Sequence, residues 1–224
     1  MILGKKPCEN RLSVRFEFAE RLRLEFLRSD KTMNQNLMMC LAILAGLFFG
    51  DNLLAQSGSK PTNPTRPVPG IAGQQAPEWD VSKWHQLPAG KTDLDITDYK
   101  GKVLYLYFFQ SWCPGCHSAG FPNLKKLHEK YKDDPNVDFV VIQTTFEGHR
   151  INTADKLQPT AAKYDLPIPF GQSAGDGTPA IMQKYRTRGT PWVVLIDKTG
   201  RVQFNGFHLD PEKAAWAIDQ LKNR

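Results

Sequence analysis

Cysteine is scarce in this sequence, and no apolar run is long enough for a comfortable membrane span. The 224 residues include four cysteines, which excludes a small fold held together by several disulfides. The main apolar run covers residues 37–49 (LMMCLAILAGLFF) and is shorter than the stretch of about 20 residues that crosses a bilayer. With 41% apolar residues, the chain can bury one sizeable core, so we expect one domain with extensions.

A strong excess of one charge is also missing. The sequence has 29 lysines and arginines against 23 acidic residues, a formal net charge of +6. Beyond residue 56 the basic residues are scattered among acidic ones, without the basic stripe that follows a nucleic-acid backbone. Nucleic-acid binding is therefore not expected.

The N-terminal region is typical of an exported protein. Residues 37–49 have the length of the apolar core of a signal peptide, and Ala55 is a suitable small residue before a cleavage point. We predict a signal peptide at 33–55, with an uncleaved membrane tether through residues 37–49 as the alternative. Residues 1–32 are then a leader extension or an incorrectly assigned start. Export would place the protein in the periplasm or at the outer face of the cytoplasmic membrane.

A linker is predicted to follow the signal. Residues 56–77 are rich in proline, serine and glycine, a composition that cannot bury a core and stays extended. The folded domain is therefore predicted to cover residues 78–224, an ordinary size for one domain.

Strand and helix patterns alternate along this domain. Continuous apolar, β-branched and aromatic runs predict buried strands, and apolar residues at helical spacing predict helices. The predicted strands are 103–109, 137–144, 167–170, 192–197 and 201–206. The predicted helices run from the cysteines to Pro135, over 153–166 with a kink or restart at Pro159, from Thr178 as N-cap with Pro179 in the first turn to Tyr185, and from Pro211. This order predicts an α/β fold with a mixed central sheet flanked by helices on both faces.

Two cysteines form a CPGC motif, Cys113-Pro114-Gly115-Cys116, directly after the predicted strand 103–109. At the start of a helix, the first-turn N–H groups and the positive helix end stabilise a thiolate at Cys113. Cys116 lies one turn later, where it can form a disulfide with Cys113 and resolve a mixed disulfide. We therefore expect disulfide exchange, with Cys113 attacking and Cys116 resolving. A static structural disulfide is the weaker alternative, because so short a loop adds little stability.

Three segments of the domain occur together in one known superfamily. They are Lys100-Gly101-Lys102, Ser111-Trp112 leading into the CPGC motif, and Gly189-Thr190-Pro191 before a strand ending at Asp197. With these motifs the chain resembles the thioredoxin superfamily over roughly residues 79–221, and most of all its exported TlpA/ResA-like branch.

The resemblance implies an activity and a set of site residues. The activity is that of a protein-disulfide oxidoreductase, more often a reductase, that acts on protein thiols or disulfides and is served by a redox donor protein. Pro191 is expected to be cis beside the dithiol, with the backbone of Thr190 pairing with substrate. Trp112, Pro114 and Gly115 are expected to shape the substrate groove. No cofactor and no metal are expected.

The sequence departs from the superfamily pattern around the dithiol. Tyr107 stands where cytosolic thioredoxins have a buried aspartate, and Ala119 stands where the exported branch often has a glutamate. No acidic proton relay carries over, and His117 is the nearest titratable substitute, a possible modulator of the thiolate. Pro122 lies six residues after Cys116, where five are expected, so the phase of the following helix is open.

Two other functions fit parts of the same motif. Cys113 to His117 match the CxxCH pattern of covalent haem attachment. Alternatively, Cys113, Cys116 and a distant histidine such as His208 are soft ligands for copper in a binding module. The glycine-rich segment 171–177, within the long stretch between residues 144 and 190, is predicted to form a specificity insert near the groove.

Overall fold

The described part of the protein, in its computed structural model, comprises residues 70–175 and 177–224. The predicted leader extension (1–32), signal peptide (33–55) and linker residues 56–69 lie outside the described residues. Across the described part, we find no helix that combines the length and the apolar character needed to cross a membrane.

A mixed sheet of six strands forms the centre of the domain, in the order β1-β4-β3-β2-β5-β6. The strands are β1 (Val81–His85), β2 (Val103–Phe109), β3 (Val137–Gln143), β4 (Phe170–Ser173), β5 (Trp192–Ile196) and β6 (Val202–Gly206). The central strand β2 runs parallel to β3 and antiparallel to β5. All seven of its residues are buried, as the apolar run at 103–109 predicted.

In the described residues, three α-helices connect these strands and a fourth follows β6: α1 (Phe121–Tyr131), α2 (Leu157–Tyr164), α3 (Ala180–Lys184) and α4 (Pro211–Lys222). A π-helical turn, Cys116–Gly120, leads directly into α1. Short 3-10 turns lie at Ile96–Tyr99 and, just before α2, at Ala154–Lys156. Pro159 falls in the first turn of α2, where its missing N–H is not needed.

The alternation of side chains along β2 creates two cores. The side chains of Leu104, Leu106 and Phe108 belong to a core that also contains Ile181 and Tyr185 from the α3 region. On the opposite face, α1 packs through Phe121, whose ring lies 5.2 Å from that of Tyr107 and 5.0 Å from that of Phe109. Helices α2 and α4 join α1 there, through a Tyr164–Phe121 ring stack at 4.4 Å and a hydrogen bond from the Tyr131 hydroxyl to Ala215 O. Helices therefore flank both faces, which confirms the predicted fold class.

The domain begins earlier than residue 78. Ile71 is buried in the core with 3% of its surface exposed. The backbone of Gly73 and Gln74 exchanges hydrogen bonds with Val202 of β6, and Ala76 N donates to Gly200 O. The linker prediction was therefore wrong for residues 70–77, because one apolar side chain and a few backbone hydrogen bonds suffice to hold a proline-rich segment against the sheet.

The fourth strand lies later than predicted. Pro167 and Pro169 lack the N–H groups that a strand donates, and the strand forms at Phe170–Ser173, between β1 and β3. Gly171 belongs to it, and a Cβ there would lie 2.9 Å from the ring of Trp84 on β1. The first residues of the predicted insert at 171–177 are thus part of the sheet.

Helix α3 starts one residue later than predicted. Pro179 is its N-cap residue, with extended backbone angles of φ −57° and ψ 141°, and no side chain caps the helix. The prediction of Thr178 as N-cap was therefore wrong. By contrast, α4 begins at Pro211 as predicted, with Asp210 accepting from Glu212 N and Lys213 N. Strand β1 had no clear sequence pattern and was missed.

Candidate active site

The dithiol lies where β2 gives way to the first helix. The chain leaves β2 at Phe109, turns through residues 110–112 and becomes helical at Pro114. Cys113 keeps 6% of its surface exposed, whereas Cys116 is completely buried. Both cysteines are free thiols in this structure. Cys113 is therefore the more exposed of the two cysteines, and its role as the attacking thiol stays a prediction.

Main-chain groups surround the sulfur of Cys113. The N–H of Cys116 donates to Cys113 Sγ over 3.2 Å, which is the first-turn amide that the sequence predicted at this position. The thiol of Cys113 in turn donates to Thr190 O over 3.6 Å. The attacking sulfur is thus held between the start of the helix and the loop before β5.

The sulfur of Cys116 is in a different environment. Burial raises the pKa of the Cys116 thiol to about 12, and a hydrogen bond with Cys113 acts in the same direction. The backbone of Gln110 and the side chain of Thr190 lower it by smaller amounts. Cys116 therefore remains a protonated thiol at neutral pH.

The Thr190–Pro191 peptide bond is cis, as the resemblance implied. The CPGC turn packs against this proline, since a Cβ on Gly115 would lie 3.4 Å from Pro191 Cδ. The Thr190 hydroxyl donates to Gln110 Oε1 over 3.3 Å, which ties the loop to the end of β2. The structure thus brings Gly115, Thr190 and Pro191 together beside Cys113.

A third loop, residues 144–152, completes the surroundings of the dithiol. The amide of Gln110 donates to Glu147 O, and the side chain of Asn152 accepts from both N and Oγ of Ser111. Asn152 also donates to Glu147 O over 2.9 Å. Gln110 and Asn152 are buried, and no local sequence motif marks them, because their partners lie 37 and 41 residues away.

Three apolar side chains are exposed near these loops. Trp112, Ile151 and Phe207 keep 44%, 51% and 45% of their surface accessible. Trp112 and Ile151 approach each other across Gly148, where a Cβ would lie 3.3 Å from either side chain. Phe207 packs against Trp192 and lies 3.2 Å from the Cβ position of Gly189. Pro114 is exposed as well, and the substrate groove expected at Trp112 and Pro114 stays a prediction.

His117 is fixed by both of its ring nitrogens. Nε2 lies 2.6 Å from Ser111 O, and because a carbonyl only accepts, Nε2 carries a proton. Nδ1 lies 2.7 Å from the Tyr164 hydroxyl, which donates to it when the ring is neutral. The imidazole therefore links the turn before the dithiol to α2. Its predicted role as a modulator of the thiolate stays a prediction.

The residue pattern after Cys116 has a structural explanation. The N–H of Phe121 bonds to Cys116 O, five residues earlier, which is the hydrogen bond of a π turn. Such a turn accommodates one residue more than an α turn. The extra residue before Pro122 is thus absorbed at Cys116–Gly120, and α1 buries Leu124, Leu127 and Tyr131 as predicted.

His208 does not join the dithiol in a metal site. It lies in the exposed loop between β6 and α4. Within residues 70–175 and 177–224, no group of three or more histidine, cysteine or acidic residues is placed to hold a metal ion.

Comparison with known proteins agrees with this geometry. The Redoxin family model matches residues 71–220. The thiol-disulfide oxidoreductase ResA of Bacillus thuringiensis is 28% identical over 130 residues, which cover 58% of this chain and 66% of ResA, just under two thirds of its length. The thioredoxin-like protein YneN of Bacillus subtilis is 27% identical over 131 residues, 58% of this chain and 68% of YneN.

Solved structures show the same fold. A thioredoxin-like superfamily protein superposes with a TM-score of 0.62 at 32% identity, covering 67% of this chain and 97% of its own. A thiol-disulfide isomerase from Corynebacterium glutamicum superposes with a TM-score of 0.58 at 28% identity, covering 66% and 97%. The family match, the relatives and the fold agree: the chain belongs to the Redoxin family, in the TlpA/ResA-like branch of the thioredoxin superfamily.

Proposed function

We propose that this protein is a protein thiol-disulfide oxidoreductase whose working group is the Cys113–Cys116 dithiol. One observation supports this assignment above all. The Cys113 sulfur lies between the N–H of Cys116 and the carbonyl of Thr190, next to cis-Pro191. This placement gives one accessible sulfur with its resolving partner directly behind it. The names of the relatives, thiol-disulfide oxidoreductase and thiol-disulfide isomerase, support the same chemistry.

The reaction proceeds through two exchanges of sulfur partners. The thiolate of Cys113 attacks one sulfur of a substrate disulfide, forms a mixed disulfide and releases the first substrate thiolate. Cys116, after loss of its proton, attacks Cys113 Sγ and releases the second substrate thiolate. The substrate disulfide gains two electrons, the protein dithiol loses two, and the protons of the two cysteines end on the substrate thiols. A thiol-bearing donor protein then restores the dithiol.

Substrates are protein disulfides presented in an extended segment. The carbonyl of Thr190 accepts from the Cys113 thiol, and Trp112 and Pro114, the chain neighbours of Cys113, have exposed side chains. A segment that lies along Thr190 would bring its disulfide next to that sulfur. The positions of these residues near Cys113 support a set of groove residues: Trp112, Pro114, Gly115, Thr190 and Pro191.

Insulin reduction with a dithiol donor tests the activity. The wild-type full chain should accelerate the precipitation of reduced insulin, and Cys113→Ser should reduce the rate to that of the donor alone. Cys40→Ser is the matched control, since it makes the same chemical change outside the Redoxin segment, and it should retain the wild-type rate. If Cys113→Ser and the wild type behave alike, the assignment is wrong.

The favoured direction is reduction of the substrate. This direction rests on the resemblance to the thioredoxin superfamily, which led us to expect a reductase. The reduction potential, measured by equilibration with glutathione, should lie toward the thioredoxin end of a range of about −270 to −120 mV. A value near the upper end of that range would make the protein an oxidant.

Export remains part of the proposal. It rests on the apolar run at 37–49 and on Ala55 as a cleavage point. Expression of the full chain in a Gram-negative host, followed by fractionation and mass measurement, should give a periplasmic or membrane-tethered product. A mass that starts near residue 56 would show cleavage, an intact apolar run would show a tether, and a cytoplasmic product would contradict export.

A further inference from the structure

A buried tyrosine hydroxyl lies beneath the resolving cysteine. Tyr107, on β2, has 1% of its surface exposed. Its hydroxyl donates to Cys116 O over 3.4 Å. Burial raises the pKa of Tyr107 well above its usual value, and the adjacent Cys116 thiol raises it further. The phenol therefore keeps its proton and acts as a hydrogen-bond donor, not as a base.

The turn after the dithiol is built around this hydroxyl. A Cβ on Gly120 would lie 1.9 Å from Tyr107 Oη, a severe steric overlap. Only glycine leaves room for the phenol at this position. The π turn at Cys116–Gly120 widens the helix at the same point. The space that the Tyr107 phenol needs thus explains both the glycine at position 120 and the extra residue before Pro122.

The second exchange needs help at Cys116. Its sulfur must become a thiolate in order to attack Cys113, yet it has no accessible surface and its pKa is raised. A buried negative charge is expensive unless donors point at it. The buried Tyr107 hydroxyl is a donor beside the residue that must ionise, and its hydrogen bond in the reduced protein is to the carbonyl of that residue.

We propose that Tyr107 is a positioning residue for the resolving step: its hydroxyl, which donates to Cys116 O while Cys116 is a thiol, turns within the Gly120 gap to donate to the Cys116 sulfur when that sulfur ionises. This proposal rests on the disulfide-exchange function above. The proton of Cys116 passes to the first substrate thiolate, which Cys113 has just released. The Cys116 thiolate then forms the S–S bond to Cys113 and breaks the bond to the substrate. Tyr107 stays protonated throughout.

Alkylation of Cys116 tests this role without turnover. In a Cys113→Ser background, Cys116 is the only thiol in the Redoxin segment, and iodoacetamide modification there, followed by mass spectrometry of its peptide, reports its thiolate. Tyr107→Phe should slow this modification about tenfold at each pH, the loss expected for a hydrogen bond to a charged group. Tyr105→Phe is the matched control, on the same strand and the same face, two residues from Tyr107, and should leave the rate unchanged.

Two outcomes would overturn the proposal. Tyr107→Phe could leave the alkylation rate unchanged, or Tyr105→Phe could slow it equally. Urea unfolding of both variants checks that the fold is intact. If Tyr107→Phe fails to fold, NMR of wild-type chain labelled at tyrosine Cζ replaces it: the Tyr107 signal should shift between the reduced and oxidised protein, and an unchanged signal contradicts the proposal. Insulin turnover by the wild type separately tests the proposed function.

Discussion

The two cysteines of the site differ in the groups that surround their sulfur atoms. Cys113 accepts a hydrogen bond from a helix N–H and reaches the surface, while Cys116 is enclosed. This asymmetry follows from their three-residue spacing, which puts one sulfur at the helix start and the other on the buried side of the first turn. This difference supports the proposal that Cys113 attacks and Cys116 resolves.

The pKa of Cys116 leads to a prediction at this scale. Burial favours the neutral thiol, so its thiolate fraction at a given pH is lower in the folded than in the unfolded protein. In Cys113→Ser, alkylation of native Cys116 should keep rising about tenfold per pH unit from pH 8 through pH 10. In urea the same curve should level off above the ordinary cysteine value of about 8.5. Curves that level off at the same pH would contradict the burial effect.

Single residues were predictable where chemistry marks them. The dithiol, Thr190 and Pro191 can be recognised in the sequence from residue type and spacing. The cis bond at Pro191 is confirmed. Gln110 and Asn152 could not be found, because a buried amide is recognisable only from partners that the fold brings from other loops. His117 was noticed for its charge, but its contacts with Ser111 and Tyr164 depend on α2.

At the scale of elements, the π turn decides how the dithiol meets its helix. Residues Cys116–Gly120 leave the α-helical hydrogen-bond pattern and return to it at Phe121. The turn absorbs the extra residue and accommodates the Tyr107 hydroxyl. The spacing from Cys116 to Pro122 is one residue longer than expected. This extra residue was equally compatible with a π turn and with a shifted helix phase.

A substitution at Gly120 tests this packing. Gly120→Ala should destabilise the protein by about 1–3 kcal/mol through overpacking against Tyr107. The sign is informative, because alanine normally favours a helix over glycine by about 1 kcal/mol. Urea unfolding measures the effect. The exposed neighbour Ser118 offers the control, and Ser118→Ala should change stability by less than about 0.5 kcal/mol. If Gly120→Ala is more stable than the wild type, the turn has space for a Cβ and the packing argument is wrong.

Element positions were predicted best where burial is complete. Strands β2, β3 and β5 are apolar on both faces, so their runs stood out, whereas β1 is an edge strand with mixed exposure. Strand β4 was misplaced because Pro167 and Pro169 have no N–H to donate, so that pairing with β1 and β3 begins only at Phe170. The cap of α3 was misplaced by one residue because proline serves as N-cap or as first helical residue.

At the scale of the whole domain, the sheet assembles the site from three distant parts of the chain. Strand β2 delivers the dithiol, the loop after β3 delivers Asn152, and the loop before β5 delivers Thr190 and Pro191. These strands are neighbours in the order β3-β2-β5, so the three loops meet at one edge. The family match from residue 71 to 220 covers all of them.

Trapping of the mixed disulfide tests the central claim most directly. Cys116→Ser, incubated with a disulfide-bearing protein, should accumulate a covalent complex through Cys113 that a reductant dissolves and mass spectrometry maps. Cys113→Ser under the same conditions should give no such complex through the Redoxin segment, because Cys116, the thiol that remains there, is too buried for a protein disulfide to reach. Equal trapping by both variants, or trapping by neither, would contradict a dithiol in which Cys113 attacks and Cys116 resolves.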